Sequence, residues 1–106
     1  MKKDTKFYEI EILNSISKIE RYIWKMNFPE FSNDEKTYDA CCMQLQHIWE
    51  CWTKLLKITW SDYKGIPLEQ MSGFRNRISH DYAWIDDDIV WAIIIKSLPK
   101  LKKILK

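Results

Sequence analysis

The chain has 106 residues, enough for one domain with a core that needs no disulfides. Two glycines and three prolines leave little for a turn-rich all-β fold, and 46% hydrophobic with 30% charged residues excludes a disordered chain. A net charge of +2 does not by itself imply a nucleic-acid partner.

The spacing predicts a first helix over residues 4–26, with Ile12, Ile16, Ile19 and Ile23 recurring every three or four positions. Asn27-Phe28-Pro29 should end it. Ser32-x-x-Glu35 has the form of a capping box for a second helix over residues 33–60. Its stripe is Cys41, Leu45, Ile48, Trp52, Leu55 and Ile58 or Thr59, widened by Trp49 and Leu56. Residues 61–66 read as a loop, and Pro67 suits the first position of a third helix. Leu68, Met71, Phe74 and Ile78 form that helix's apolar stripe. Asp86 is a fitting N-cap for a fourth helix, with Asp87 and Asp88 at its positive end. Ile89, Val90, Ala92, Ile93, Ile94 and Ile95 make it apolar on most sides, and Pro99 should kink it. Short connections between long helices imply an all-α, up-and-down bundle of four main helices, a single domain over residues 1–106.

Three cysteines, Cys41, Cys42 and Cys51, cannot pair fully within one chain. No apolar leader segment opens the sequence and no run is long enough to span a membrane. Together these point to the cytoplasm, with reduced and buried thiols. His47 lies near Cys42 and Cys51, but without further ligands it reads as a core or interface histidine rather than a metal ligand. Asp86 to Asp88 read as a capping run, because consecutive carboxylates on a helix face different ways. No metal or cofactor is expected, and no glycine-rich phosphate loop is present. Six tryptophans are more than one small core takes, so some should line an interface.

The chemistry concentrates in Arg75-Asn76-Arg77-Ile78-Ser79-His80-Asp81-Tyr82, late in the third helix. At about 100° per residue, Asn76 and His80 share a face, and Arg75 and Tyr82 nearly eclipse. Arg75 and His80 stand about 140° apart, so one copy does not close a pocket. Asn76 and His80 lie off the apolar stripe. Two copies face to face would offer paired arginines and paired histidines around one groove. That arrangement suits a phosphodiester, with arginine gripping phosphate oxygens and histidine moving protons near neutral pH. A plainer reading also fits: an arginine capping carbonyls, a histidine favoured by the helix dipole and a half-buried tyrosine.

The string Arg75-Asn76-x3-His80-x-Tyr82 resembles the HEPN ribonucleases and, within them, the HepT toxins of prokaryotic toxin–antitoxin pairs. Asp34-Glu35-Lys36-Thr37 with Asp39-Ala40, Gly73-Phe74, Asp86-Asp87-Asp88-Ile89-Val90-Trp91 and Leu98-Pro99 carry the likeness from about Ile10 to Leu105. The loop over residues 61–66 is shorter than in that family. The resemblance implies a homodimeric, metal-independent endoribonuclease, with Arg75, Asn76 and His80 as catalytic residues and RNA as substrate. It also implies that Tyr82 accepts AMP from a nucleotidyltransferase antitoxin, which would place a bulky anion beside Arg75 and His80. A different class of function stays open: a non-catalytic helical subunit that presents substrate to a nucleotidyltransferase.

Two further features bear on partners. Lys96, Lys100, Lys102 and Lys103 form a basic tail without acids. It is either a solvated face that complements the helix dipole or a weak RNA-contacting patch. Glu50 occupies a place where HepT proteins often carry a glutamate. It could pair with Lys54 one turn on, or reach Arg75 across the bundle.

Overall fold

The computed structural model describes residues 4–59 and 87–105. All regular elements among them are helical: α1 (Thr5–Tyr22), α2 (Phe28–Asn33), α3 (Glu35–Thr59), α4 (Asp87–Ala92), a π-helical turn (Ile93–Ser97) and α5 (Leu98–Leu105). The protein is an all-α helical bundle, as its sequence predicts. The loop over residues 61–66, the predicted third helix and the predicted cap Asp86 lie outside the described residues.

Helix α1 begins where the Asp4 carboxylate accepts the Phe7 N–H at 3.0 Å. Tyr8, Ile12, Ile16 and Ile19 turn its apolar face to the core. It ends at Tyr22, short of the predicted Met26. Lys25, at φ 61°, holds the left-handed conformation that halts a helix.

The Asn27-Phe28-Pro29 stop is also a start. The Asn27 side chain accepts the Glu30 N–H at 2.9 Å, and the Glu30 carboxylate accepts the Asn27 N–H at 3.0 Å. This reciprocal capping box opens α2, and Pro29 sits in the first turn, where its missing donor has no partner to lose. The short helix delivers Phe31 into the core, with ring centroids 5.0 Å from Trp91 and 5.7 Å from Tyr38. Asn27→Ala should therefore lower stability by about 1 kcal/mol, readable as a shift of the urea midpoint at unchanged m.

The cap of α3 is Asp34 rather than Ser32. Asp34 accepts the Thr37 N–H at 3.1 Å and the Thr37 hydroxyl at 2.9 Å. The backbone bond first, then the hydroxyl, hold its carboxyl below the usual carboxylate range. A lowered carboxyl stabilises the fold above that ordinary range, and the contribution fades as pH falls through the lowered value. Ser32 instead belongs to α2, and its hydroxyl donates to the Asp87 carboxylate, joining α2 to the start of α4.

Cys41, Leu45, Ile48, Trp52 and Leu55 are buried along α3, the stripe the spacing predicts. Trp49 is half-buried and packs on the same core. Of the two residues predicted for the last place of the stripe, Ile58 is 45% exposed, and the side chain of Thr59 lies outside the described residues. Helices α1 and α3 pack antiparallel, and the Lys54 ammonium already lies 6.0 Å from the centroid of the Tyr8 ring. One turn further on, Ile58 passes the start of α1, and nothing in α1 remains to cover it.

Val90, Ile93, Ile94, Leu98, Leu101 and Leu105 close the core from the C-terminal side. Just before Pro99, where a kink is expected, the chain makes a π-helical turn, in which the Leu98 N–H donates to the Ile93 carbonyl five residues back. A proline ring in a regular helix crowds the carbonyl four residues before it and supplies no donor. Widening the preceding turn takes up that mismatch without ending the helix.

Candidate active site

Arg75, Asn76, His80 and Tyr82 lie outside the described residues, as does any reach of Glu50 towards Arg75. What the structure defines is the scaffold to which their segment is tied. Helix α3 ends at Thr59. Helix α4 begins at Asp87, beside Ser32 and hence at the opposite end of α3. With 25 residues at about 1.5 Å each, those anchor points stand roughly 37 Å apart along α3.

The tail lysines divide. Lys102 reaches back to α1 and forms an ion pair with Glu20 at 3.0 Å, so it helps hold α5 against α1. The pair is partly exposed, and its contribution is that of a surface pair, small and salt-dependent. Lys96, Lys100 and Lys103 are exposed.

The thiols behave as packing groups. Burial pushes Cys41 up to about 12 and Cys42 up to about 11, far from the thiolate that nucleophilic or metal chemistry needs. No disulfide joins any of the three cysteines. Among the described residues no group of three His, Cys, Asp or Glu side chains could hold a metal ion, and no helix is long and apolar enough to cross a membrane.

One feature could not be foreseen from spacing. A groove of about 550 Å³ runs between α1 and α3, lined by Glu11, Lys18, Arg21, Gln44, His47 and Glu50 among others. His47 Nε2 stands 3.3 Å from Glu11 Oε1 and 3.6 Å from Cys51 Sγ. His47 is thus not a core residue but a link between the two helices at the groove's edge. When protonated it donates to Glu11. In the neutral ring Nε2 either carries the hydrogen and donates to Glu11 or lacks it and accepts from the Cys51 thiol. Glu50 also faces this groove. Glu11 and His47 are far apart in the sequence, and no motif joins them.

The whole-chain comparison decides the family. The sequence profile described as Ribonuclease HepT-like matches residues 12–106. The chain belongs to the HepT-like ribonuclease family. It is accordingly an endoribonuclease, and the helical scaffold above is that of a HepT-like protein. It is similar to a candidate RNase of Methanocaldococcus jannaschii, 31% identical over 98 residues that cover 92% of this chain and 81% of that protein. A second candidate RNase of the same organism is 28% identical, covering 96% of this chain and 94% of its own. A candidate ribonuclease HepT of Thermococcus cleftensis is also 28% identical, covering 96% and 93%. No solved structure matches the chain.

Proposed function

We propose that this HepT-like ribonuclease is the toxin of a toxin–antitoxin pair, a single-domain, cytoplasmic protein acting as a homodimer on RNA without a metal. The observation that carries the reading is the intact string Arg75-Asn76-x3-His80-x-Tyr82 inside the stretch matched by the ribonuclease family. RNA brings its own nucleophile, the 2′-hydroxyl beside the phosphate. One His80 takes the hydroxyl proton as the 2′-oxygen bonds to phosphorus. The His80 of the second copy gives a proton to the 5′-oxygen as its bond to phosphorus breaks. The products are a 2′,3′-cyclic phosphate and a free 5′-hydroxyl. Arg75 offsets the charge that builds on the non-bridging oxygens, and its planar fork can hold two of them. Asn76, one turn before His80, orients the imidazole or bonds a phosphate oxygen.

Tyr82 is the point of control. In an antitoxin nucleotidyltransferase its phenol oxygen would attack the α-phosphorus of ATP, releasing pyrophosphate and leaving AMP on the ring. The added anion competes for the phosphate site beside Arg75 and His80 and blocks RNA by charge and volume. Lys96, Lys100 and Lys103 would add a weak, salt-sensitive attraction for RNA.

The test is incubation of purified protein with mixed cellular RNA and with DNA of matched sequence, both in EDTA, with the intact mass recorded. Unmodified protein should fragment the RNA and leave the DNA whole, since DNA lacks the nucleophile. Cutting of DNA would overturn the mechanism. Failure of an unmodified dimer to cut RNA would favour the substrate-presenting subunit.

A further inference from the structure

The outer face of the α1–α3 pair is organised in a way the ribonuclease chemistry does not use. Ile10, Asn14, Ser17, Arg21 and Trp24 recur at intervals of four, three, four and three along α1 and just past its end, and all are exposed. That spacing is the seam by which one helix meets another. Three large apolar groups lie on this face or beside it. Trp24 is 73% exposed, Met43 64% and Ile10 45%. Exposed tryptophan and methionine are enriched at protein interfaces and seldom left to water at this extent.

The charges on the same face are arranged end to end. Because α1 and α3 are antiparallel, Glu11 and Glu50 fall at one end of the groove, with His47 beside them. Lys18 and Arg21 fall at the other, two to three turns along α1. Neither Lys18 nor Arg21 forms an ion pair among the described residues. The middle is neutral, occupied by Asn14, Ser15 and Gln44. An RNA-binding surface is basic throughout, whereas this one carries acids and bases in equal number, on opposite halves. Such a face is its own complement. Turned by 180° about an axis through its centre, it sets Lys18 and Arg21 of one copy on Glu11 and Glu50 of the other, twice over. Trp24 and Met43 are brought at the same time onto the Ile10 end.

We infer that a second copy of this chain docks on the outer α1–α3 face about a two-fold axis, with Arg21 and Lys18 crossing to Glu50 and Glu11 and Trp24 as the apolar anchor. The inference rests on the two-copy reading above and names the surface that brings the copies together. A two-fold contact pairs residue i with j and j with i, so each cross-pair occurs twice and a charge reversal is felt twice.

The experiment follows from that doubling. Arg21→Glu and Glu50→Arg are made separately in the full chain, and mass in solution is measured by light scattering across a dilution series. Each variant alone should weaken self-association by about tenfold or more, because two attractions become two repulsions. Mixed in equal amounts, the two failing variants should associate with each other, since every crossing pair is then opposite in charge. RNA cutting should fall with self-association and return in the mixture. If Arg21→Glu dimerises like the wild type, this face is not the contact, and the inference is overturned while the composite ribonuclease site stands. If the variant's dimer is intact but its affinity for single-stranded RNA and the salt dependence of that binding fall, the face is an RNA contact, and the second-copy assignment is again overturned. If dimer formation is lost and cutting persists, the face is upheld and the composite site is the reading that fails.

Discussion

His80→Ala is expected to abolish RNA cleavage while the protein remains folded and dimeric. A positioned acid or base contributes about 10²- to 10⁴-fold to a proton-transfer step. In a homodimer the substitution removes both the base at the 2′-hydroxyl and the acid at the 5′-oxygen. The combined loss should reach about 10⁴-fold or more, below detection in a gel assay of cellular RNA. Folding should be spared because position 80 is off the Leu68, Met71, Phe74, Ile78 stripe, so no apolar core contact is expected to be lost. The check is cleavage in EDTA beside a light-scattering mass for wild type and variant. Persistent cutting by the variant would remove His80 from the mechanism. A monomeric or unfolded variant would show instead that position 80 serves packing, as the plainer reading of the motif holds.

The parts of the fold that spacing revealed are those in which one long helix faces one core. Ile12, Ile16 and Ile19 of α1 and the stripe from Cys41 to Leu55 are buried as their period requires. What spacing missed was decided by competition between local signals. Ser32-x-x-Glu35 and Asp34-x-x-Thr37 both have cap form. The carboxylate takes the role because it accepts two bonds from Thr37, while Ser32 is drawn off to Asp87. Asn27-Phe28-Pro29 reads as a stop because proline ends helices. The same proline is harmless in a first turn, and Glu30 completes a box that starts α2. Pro99 reads as a kink, yet a π-helical turn absorbs its missing donor and its bulk. The groove between α1 and α3 was invisible for a different reason: its acids and bases are joined only by the antiparallel packing of two helices. The motif offers residue types and intervals suited to phosphodiester chemistry, and the family match adds the activity class without placing those side chains.

The other large effect separates two tryptophans. Trp52 is wholly buried in the core, whereas Trp24 is 73% exposed. Trp52→Ala should cost about 3–5 kcal/mol, from lost transfer free energy and the cavity left behind. Against a typical total of about 5–15 kcal/mol, that removes about a fifth or more of the stability of a small domain. Urea unfolding should show a midpoint far below that of the wild type, and cleavage should fail only because the folded population does. Trp24→Ala should leave the unfolding midpoint within about 0.5 kcal/mol of the wild type when both are measured as monomers. Its loss should appear instead in the concentration dependence of association. The same substitution in the same chain then reads folding at one site and docking at the other. A stable Trp52→Ala would contradict the core described above, and a destabilised Trp24→Ala monomer would mean that its ring packs within its own copy rather than against a second one.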